Sequence, residues 1–211
     1  MKIIAALIVG LFTFIGAVVV SQKNVKLTSK ITPTPTPTQN QFNTFEEPSI
    51  ALNQGEATYF ASPSSATMNS GDNLSVDIML SVGNLNLSAG AMRIFMTSSG
   101  KVPLKAVDKN GEKEGVQVAT GVVFKEGGWS FPINEAGADE QGRLIIDLAF
   151  INLSPEGYLA DGEITIASLE LEAVSGSQTV NLEFDKDLSK LVAKNGDEVP
   201  LGFSGATFTV K

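Results

Sequence analysis

The sequence predicts an all-β domain, an antiparallel, jelly-roll-like β-sandwich of about nine strands. The clearest observation is the alternation in segment 74–82, where every second residue is aliphatic and the residues between are polar except Met79, a pattern typical of a strand with one buried face. Segments 92–96, 144–150 and 180–184 repeat this period. Since each such strand buries only one face, two antiparallel sheets packed face to face are the stable arrangement.

Turn-forming residues separate these strands, and no segment after residue 55 has the apolar period of a soluble helix. Glycine next to Ser, Asp or Asn marks turns at 70–72, 109–111, 160–162 and 195–197, and a Gly-Gly pair marks another at 127–128. In segment 163–174, Ile164 and Ile166 are in phase with each other, and Leu169 and Leu171 are offset by one residue. A β-bulge near Ala167 and Ser168 would bring all four side chains to one face.

The chain divides into three parts. Residues 3–20 are uncharged and almost wholly apolar, so residues 1–23 are predicted to be a transmembrane anchor, with a signal peptide as the alternative. Residues 24–54 are predicted to be a disordered Thr/Pro-rich linker, because the repeat TPTPTPT at 32–38 favours an extended polyproline II spacer. Residues 55–211 form the predicted sandwich domain. This order predicts a domain in the cell envelope, anchored outside the membrane or secreted, with membrane contact through the N-terminal helix only.

Composition excludes several classes of function. The chain has no cysteine and no histidine, which removes thiolate and imidazole chemistry, including Ser-His-Asp triads and His-ligated zinc. Residues 46–211 hold all 23 acids against 11 bases, and this negative charge argues against a nucleic-acid partner. Glycoside hydrolysis needs a matched carboxylate pair, but Asp77, Asp147, Glu170 and Glu172 fall on predicted solvent faces where carboxylates stay hydrated. The chain is therefore predicted not to be an enzyme, and no catalytic residue is predicted.

Three aromatic residues are the candidates for ligand binding. Trp129 is the only tryptophan and follows a Gly-Gly turn. An exposed indole ring can stack on a sugar or anchor a protein partner, whereas a buried one would only fill the core. Tyr59 and Tyr158 are the two tyrosines and the other candidate stacking groups.

A turn in the middle of the domain is a weaker candidate for calcium. Asp108, Asn110 and Glu112 stand at alternate positions and offer oxygen ligands. The EF-hand pattern does not fit, because Lys113 stands where Gly is needed and Ala119 where a bidentate Glu is needed. A solvated hairpin turn is the alternative, and no other metal or cofactor is predicted.

Four segments carry a resemblance to a known family. They are SGDNLSVDIMLSVGN (70–84), LSAGAMRIFM (87–96), LADGEITIASLELEA (159–173) and LVAKNGDEVPLGFSGATFTV (191–210). In this order they resemble the strands and closing hairpin of cohesin-type domains, β-sandwiches of bacterial scaffold and surface proteins that are related to cellulose-binding modules. The resemblance implies non-catalytic binding: cohesins hold the helical partner dockerin on a sheet face, and their relatives hold polysaccharide.

The sequence therefore predicts an extracellular module that docks a protein partner, dockerin-like or another surface protein, through one sheet face. The alternatives are a carbohydrate-binding module for a cell-wall or environmental polysaccharide and a purely structural envelope protein. A linear aromatic strip on a sheet face would favour the sugar. A flat face with scattered apolar and polar groups would favour a protein partner, and a fully charged, hydrated surface would favour the structural role.

Overall fold

The computed structural model describes residues 57–109, 111, 113–126, 128–174 and 176–211. They form twelve strands and one 3-10 helix: β1 (Ala57–Ser62), β2 (Ser65–Met68), β3 (Asn73–Thr97), β4 (Leu104–Ala106), β5 (Ala119–Thr120), the 3-10 helix Val122–Glu126, β6 (Trp129–Ala138), β7 (Leu144–Asn152), β8 (Tyr158–Ala173), β9 (Gln178–Phe184), β10 (Lys190–Ala193), β11 (Leu201–Ser204) and β12 (Ala206–Val210). The all-β prediction is confirmed, but the predicted number of about nine strands is wrong. Strands as short as β4 and β5 have too few residues to show an alternating pattern.

Two layers of strands pack face to face, and β3 contributes to both. In the front sheet, residues 73–82 of β3 lie between β8 and β1, and β4, β5 and β11 complete the layer. In the back sheet, residues 89–97 lie between β7 on one side and β9 and β10 on the other, and β6, β12 and β2 complete the layer. Gly83 and Asn84 separate the two parts: Asn84 has a φ of 36°, and the ladder with β8 shifts register there.

The first strand of the domain is divided between the two sheets. β1 pairs in parallel with β11 at the edge of the front sheet, and β2 pairs in parallel with β12 at the edge of the back sheet. A cis peptide bond joins Ser62 to Pro63 between them. The predicted antiparallel pairing holds for the other strand pairs but not for these two. Alternation identifies a strand and its buried face, but it carries no information about the direction of its neighbours.

The predicted alternation is confirmed in the core between the sheets. The largest fully buried side chains are Tyr59, Phe150, Phe208, Ile78, Leu80, Leu87, Ile94, Met96, Ile146, Leu148, Ile166 and Leu169. Most lie at every second position of β1, β3, β7, β8 and β12. Each such side chain contributes about 1.5–3 kcal/mol when buried, so this core is the main source of stability.

The predicted bulge in β8 is present and is centred on Ile166. Ile78 of β3 lies opposite Ala167, and the next residue, Met79, lies opposite Thr165, which leaves Ile166 as the extra residue. Ile166 and Ala167 are both buried, so the bulge brings the two halves of the strand to a common face. It lies one residue before the predicted position.

The predicted anchor (1–23) and linker (24–54) lie outside the described residues. Within the described ranges, no helix has the length and apolar character needed to cross a membrane.

A glycine in the back sheet makes room for a core aromatic ring. Gly90 of β3 lies opposite Phe150 of β7. A Cβ atom at position 90 would overlap the phenyl ring, with three ring carbons within 3.0 Å. At Gly83, also in β3, a Cβ atom would meet no other atom within 4 Å.

We therefore expect Gly90→Ala to lower the free energy of unfolding by about 1–3 kcal/mol, because the Phe150 ring is enclosed and cannot move aside without strain. Gly83→Ala is the matched control and should change it by less than about 1 kcal/mol. Urea denaturation followed by circular dichroism measures both. Equal effects of the two substitutions would contradict the packing described.

Candidate functional site

Two of the three predicted aromatic residues lie together at one end of the sandwich. Trp129 begins β6 and Tyr158 begins β8, and their ring centroids are 5.7 Å apart. Phe124 of the 3-10 helix lies edge-on to Trp129 at 4.8 Å. Phe131 and Phe150 complete a group of five rings, here called the aromatic cluster. The sequence did not identify the phenylalanines, since phenylalanine is common in any core.

The aromatic cluster is not a flat strip. The ring of Trp129 is inclined by 59° to Tyr158 and by 88° to Phe124. Trp129 is half-buried and packs against the core. The linear row of coplanar rings that favours polysaccharide binding is therefore not found in this cluster.

Three exposed aliphatic residues lie close to members of the aromatic cluster along the chain or through a backbone hydrogen bond. Val122, Leu153 and Leu159 are 72%, 67% and 60% exposed. Val122 belongs to the 3-10 helix, Leu153 donates its N–H to the carbonyl of Gly128 just before Trp129, and Leu159 follows the tyrosine of the cluster. This end of the described domain therefore presents apolar surface to solvent.

Tyr59 lies in the core and not at the surface. Its ring is fully buried, and it stacks on Phe184 at a centroid distance of 6.0 Å and packs against Phe203 at 6.4 Å. The hydroxyl group has no hydrogen-bond partner within the described part of the chain. Burial raises the pKa of this hydroxyl well above its ordinary value. A ring without solvent contact cannot touch a ligand, so we leave Tyr59 out of the candidate surface.

Of the three calcium candidates, only Asp108 lies within the described residues. Its carboxylate accepts the backbone N–H of Gln117 at 2.8 Å, which ties the two sides of the loop together. Asn110 and Glu112 lie outside the described residues. Among those described, no three acidic side chains gather closely enough to hold a metal ion. Calcium binding at this turn stays a prediction.

The outer surface of the back sheet, here called the back face, mixes apolar and charged side chains. It is formed by the residues that alternate with the core positions: Ala89, Ala91, Arg93 and Phe95 of β3; Ile145, Asp147, Ala149 and Ile151 of β7; Ile133 and Glu135 of β6; and Glu183 of β9. Phe95 lies opposite Ile145, and Ala91 lies opposite Ala149. The three alanines and Ile133 are buried, but they do not belong to the core between the two sheets. They are therefore enclosed on the outer side of the back sheet.

A bidentate ion pair lies in the middle of the back face. Arg93 Nε donates to Asp147 Oδ1 at 2.6 Å, and Arg93 Nη2 donates to Oδ2 at 2.7 Å. The side chains are only 11% and 7% exposed. The hydrogen bond that Arg93 donates to Asp147 raises the pKa of Arg93 above its ordinary value, and burial opposes this rise. The pair is therefore internally neutral and fixed in orientation.

Asp147 corrects one expectation from the sequence. It lies on the outer face as the alternation predicts, but the predicted hydration is wrong, because Arg93 on the adjacent strand covers the carboxylate. The sequence signal for this ion pair was the presence of opposite charges, Arg93 and Asp147, in the middle of two predicted strands. The pairing itself could be identified only from the register of β3 against β7.

The outer surface of the front sheet, here called the front face, has a different character. Its side chains are Ser75, Asp77, Met79 and Ser81 of β3, Glu163, Thr165, Ser168, Glu170 and Glu172 of β8, and Thr58, Phe60 and Ser62 of β1. Asp77 accepts a hydrogen bond from Ser168, and Glu172 pairs with Lys105 at 3.0 Å. Its only large apolar members are Met79 and Phe60. The front face therefore has the character of a hydrated surface.

Comparison with known proteins identifies the fold. No protein-family model and no curated protein sequence matches the chain. A type II cohesin domain from the cellulosome of Acetivibrio cellulolyticus shares 16% identity, with 72% of this chain and 95% of that chain covered and a TM-score of 0.54. A type I cohesin–dockerin complex from Clostridium thermocellum shares 11% identity over 74% of this chain and 99% of that chain, with a TM-score of 0.53. A third cohesin in complex with a dockerin, from Acetivibrio cellulolyticus, shares 11% identity over 73% and 98%, with a TM-score of 0.51. The domain thus has the cohesin-type fold that the sequence predicts.

We expect Tyr59→Phe to leave the free energy of unfolding unchanged or to raise it by up to about 1 kcal/mol, because it removes an unpaired buried hydroxyl. The unfolded chain ionises this tyrosine near pH 10, whereas burial raises the pKa in the folded state. Wild-type stability should therefore fall as the pH rises above 10, and it should fall less in Tyr59→Phe. Tyr158→Phe is the control and should retain the alkaline loss. Denaturation midpoints at pH 8 and about pH 11 test this, and an identical loss in wild type and Tyr59→Phe would contradict it.

The Arg93–Asp147 pair gives a second prediction. Arg93→Met or Asp147→Leu alone should cost about 3 kcal/mol, because each leaves the other charge buried and unpaired. The double variant should recover most of that loss, and a double-mutant cycle measures the coupling. As a control, Glu198→Gln breaks the more exposed pair with Lys190 and should cost at most about 1 kcal/mol. Additive losses in the double variant would show that the two charges are not coupled.

Proposed function

We propose that this domain is a non-catalytic docking module that holds a protein partner on its back face. The proposal rests on one observation, the contrast between the two outer faces. The back face has Phe95, Ile145 and three alanines around an internally neutral ion pair, whereas the front face is mostly polar, with Met79 and Phe60 as its only large apolar side chains. A flat face with scattered apolar and polar groups is the surface that favours a protein partner.

Docking would bury the apolar side chains of the back face against a complementary surface. About 800 Å² per partner is the usual scale of a specific interface. Strands β3, β7 and β9 of the back face are paired along both edges, so little backbone entropy would be lost on the side of this domain. Glu135 and Glu183 border the apolar residues and have no ion-pair partner among the described residues. A partner with basic side chains at the matching positions is therefore favoured, with an association rate that falls as salt is added.

The comparisons support a dockerin-like partner. Two of the solved structures with similar folds contain a cohesin bound to a dockerin, and a third is a cohesin from a cellulosome. By this likeness we propose a location outside the cell, at the surface or in a secreted assembly. The absence of histidine and cysteine supports a binding role over catalysis.

Carbohydrate binding is the second candidate, and Trp129 is the observation that favours it. Its half-buried indole ring lies beside Tyr158 at the end of the sandwich. A sugar could stack on one such ring. The inclination of neighbouring rings makes an extended polysaccharide platform the weaker interpretation.

The docking proposal predicts that substitutions on the two faces differ in effect. The sandwich domain, residues 55–211, is titrated with calcium-loaded type I and type II dockerins by calorimetry. Ile145→Glu should weaken binding at least about tenfold, because it places a charge among the apolar side chains of the back face, opposite Phe95. Met79→Glu is the matched control on the front face and should change affinity less than about twofold.

Three results would contradict the docking proposal. The first is the absence of binding to every dockerin, and the second is an equal loss of affinity in the two variants. The third is co-sedimentation of the domain with cellulose, chitin or peptidoglycan that is lost in Trp129→Ala. That third result would instead make the aromatic cluster a carbohydrate site.

A further inference from the structure

The sandwich is open along one side, between edge strands β4 of the front sheet and β6 of the back sheet. The opening holds a cavity of about 410 Å³, here called the edge slot. Its apolar lining consists mainly of Val102, Leu104, Val116, Ala136, Leu144 and Val174. Cavities of roughly 300–1,000 Å³ with apolar walls are typical of sites for small molecules.

Two backbone contacts close the ends of the edge slot. At one end Val116 and Ala136 form an isolated β-bridge. At the other end the N–H of Val102 donates to the carbonyl of Gly142 at 3.1 Å. These links hold the two edges of the sandwich at a fixed separation, so the slot is already formed in the structure without a ligand-induced opening.

The charge of the edge slot is opposite to that of the domain. Lys101 and Lys105 line it, and no acidic residue does. Lys105 pairs with Glu172 at 3.0 Å. Lys101 makes no ion pair within the described residues, and its side chain is exposed. In residues 46–211 acids outnumber bases 23 to 11. An apolar slot whose only charged lining residues are lysines therefore favours an anionic ligand.

We propose that the edge slot binds a small carboxylic acid with a straight aliphatic chain. The chain would lie against Leu104, Leu144 and Val174, and the carboxylate would meet the Lys101 ammonium group. The walls offer no acidic group to receive a cation, and the apolar lining gives a sugar few hydrogen-bond partners. This proposal does not rest on the docking function, because it uses the side opening and not the back face.

Octanoate is the probe, and the full chain is the protein. Titration is followed by the methyl resonances of Val102, Leu104, Leu144 and Val174 in nuclear magnetic resonance spectra. Octanoate should shift these resonances in a saturable way. Octylammonium has the same chain length and the opposite charge, and it should bind at least about twofold more weakly.

Two variants separate the charge from the cavity. Lys101→Gln should weaken octanoate binding about two- to fivefold, the scale of one exposed ion pair, and should leave octylammonium no weaker than before. Ala136→Leu adds carbon atoms at the wall of the slot and should weaken both ligands. Lys105→Gln is the control for Lys101 and should have a smaller effect, because Lys105 already pairs with Glu172.

The proposal fails if octanoate shifts resonances across the domain without saturation, or if Lys101→Gln leaves its affinity unchanged. It also fails if octylammonium binds as well as octanoate, since the slot would then be an apolar cleft without charge selection. Ala136→Leu is checked first by its circular dichroism spectrum. If it does not fold, Lys101→Gln and the comparison of the two ligands still decide the outcome.

Discussion

Strand β3 is shared by both layers, and the rest of the domain is built on this sharing. Every backbone N–H and C=O group in a buried strand needs a partner, so a strand of 25 residues in the centre of a domain must find neighbours along both edges. β3 does so by pairing with β1, β7, β8, β9 and β10. The bend at Gly83 and Asn84 turns its second half into the other sheet, which places the two layers face to face.

The bend also determines which side chains reach the surface. On both sides of it, one side chain in two enters the common core, and the other belongs to an outer face. The outer residues of the first half are Ser75, Asp77 and Ser81, together with Met79, whereas those of the second half include Ala91, Arg93 and Phe95. A single strand thus contributes a hydrated surface to one sheet and a partly apolar surface to the other. The difference between the faces is therefore encoded in β3 itself.

The sequence predicts the core well because burial follows from local alternation. Ile78, Leu80, Ile94 and Leu148 are buried as their positions in the alternating segments require. The bulge at Ile166 could be predicted for the same reason, since an offset of phase within one strand is a local signal.

The remaining features depend on contacts between distant segments, which a period of two does not encode. The parallel pairings of β1 and β2, the burial of the Tyr59 hydroxyl and the ion pair of Arg93 with Asp147 all require the register or order of strands. The aromatic cluster is an intermediate case. Trp129 was a candidate from its turn, but its contact with Tyr158 arises only because β6 and β8 begin at the same end of the sandwich.

The Arg93–Asp147 pair limits which partners could fit the docking proposed for the back face. Each of its charges already has the other as a close, bidentate partner, and breaking that pair to engage an outside group would leave a buried charge unsatisfied. The pair therefore holds β3 and β7 together and excludes partners that would place an apolar group over one charge alone. In the proposed complex, attraction by charge would come from Glu135 and Glu183, at the border of the apolar residues. Selectivity on such a face arises from the unfavourable cost of mismatched partners as much as from attraction.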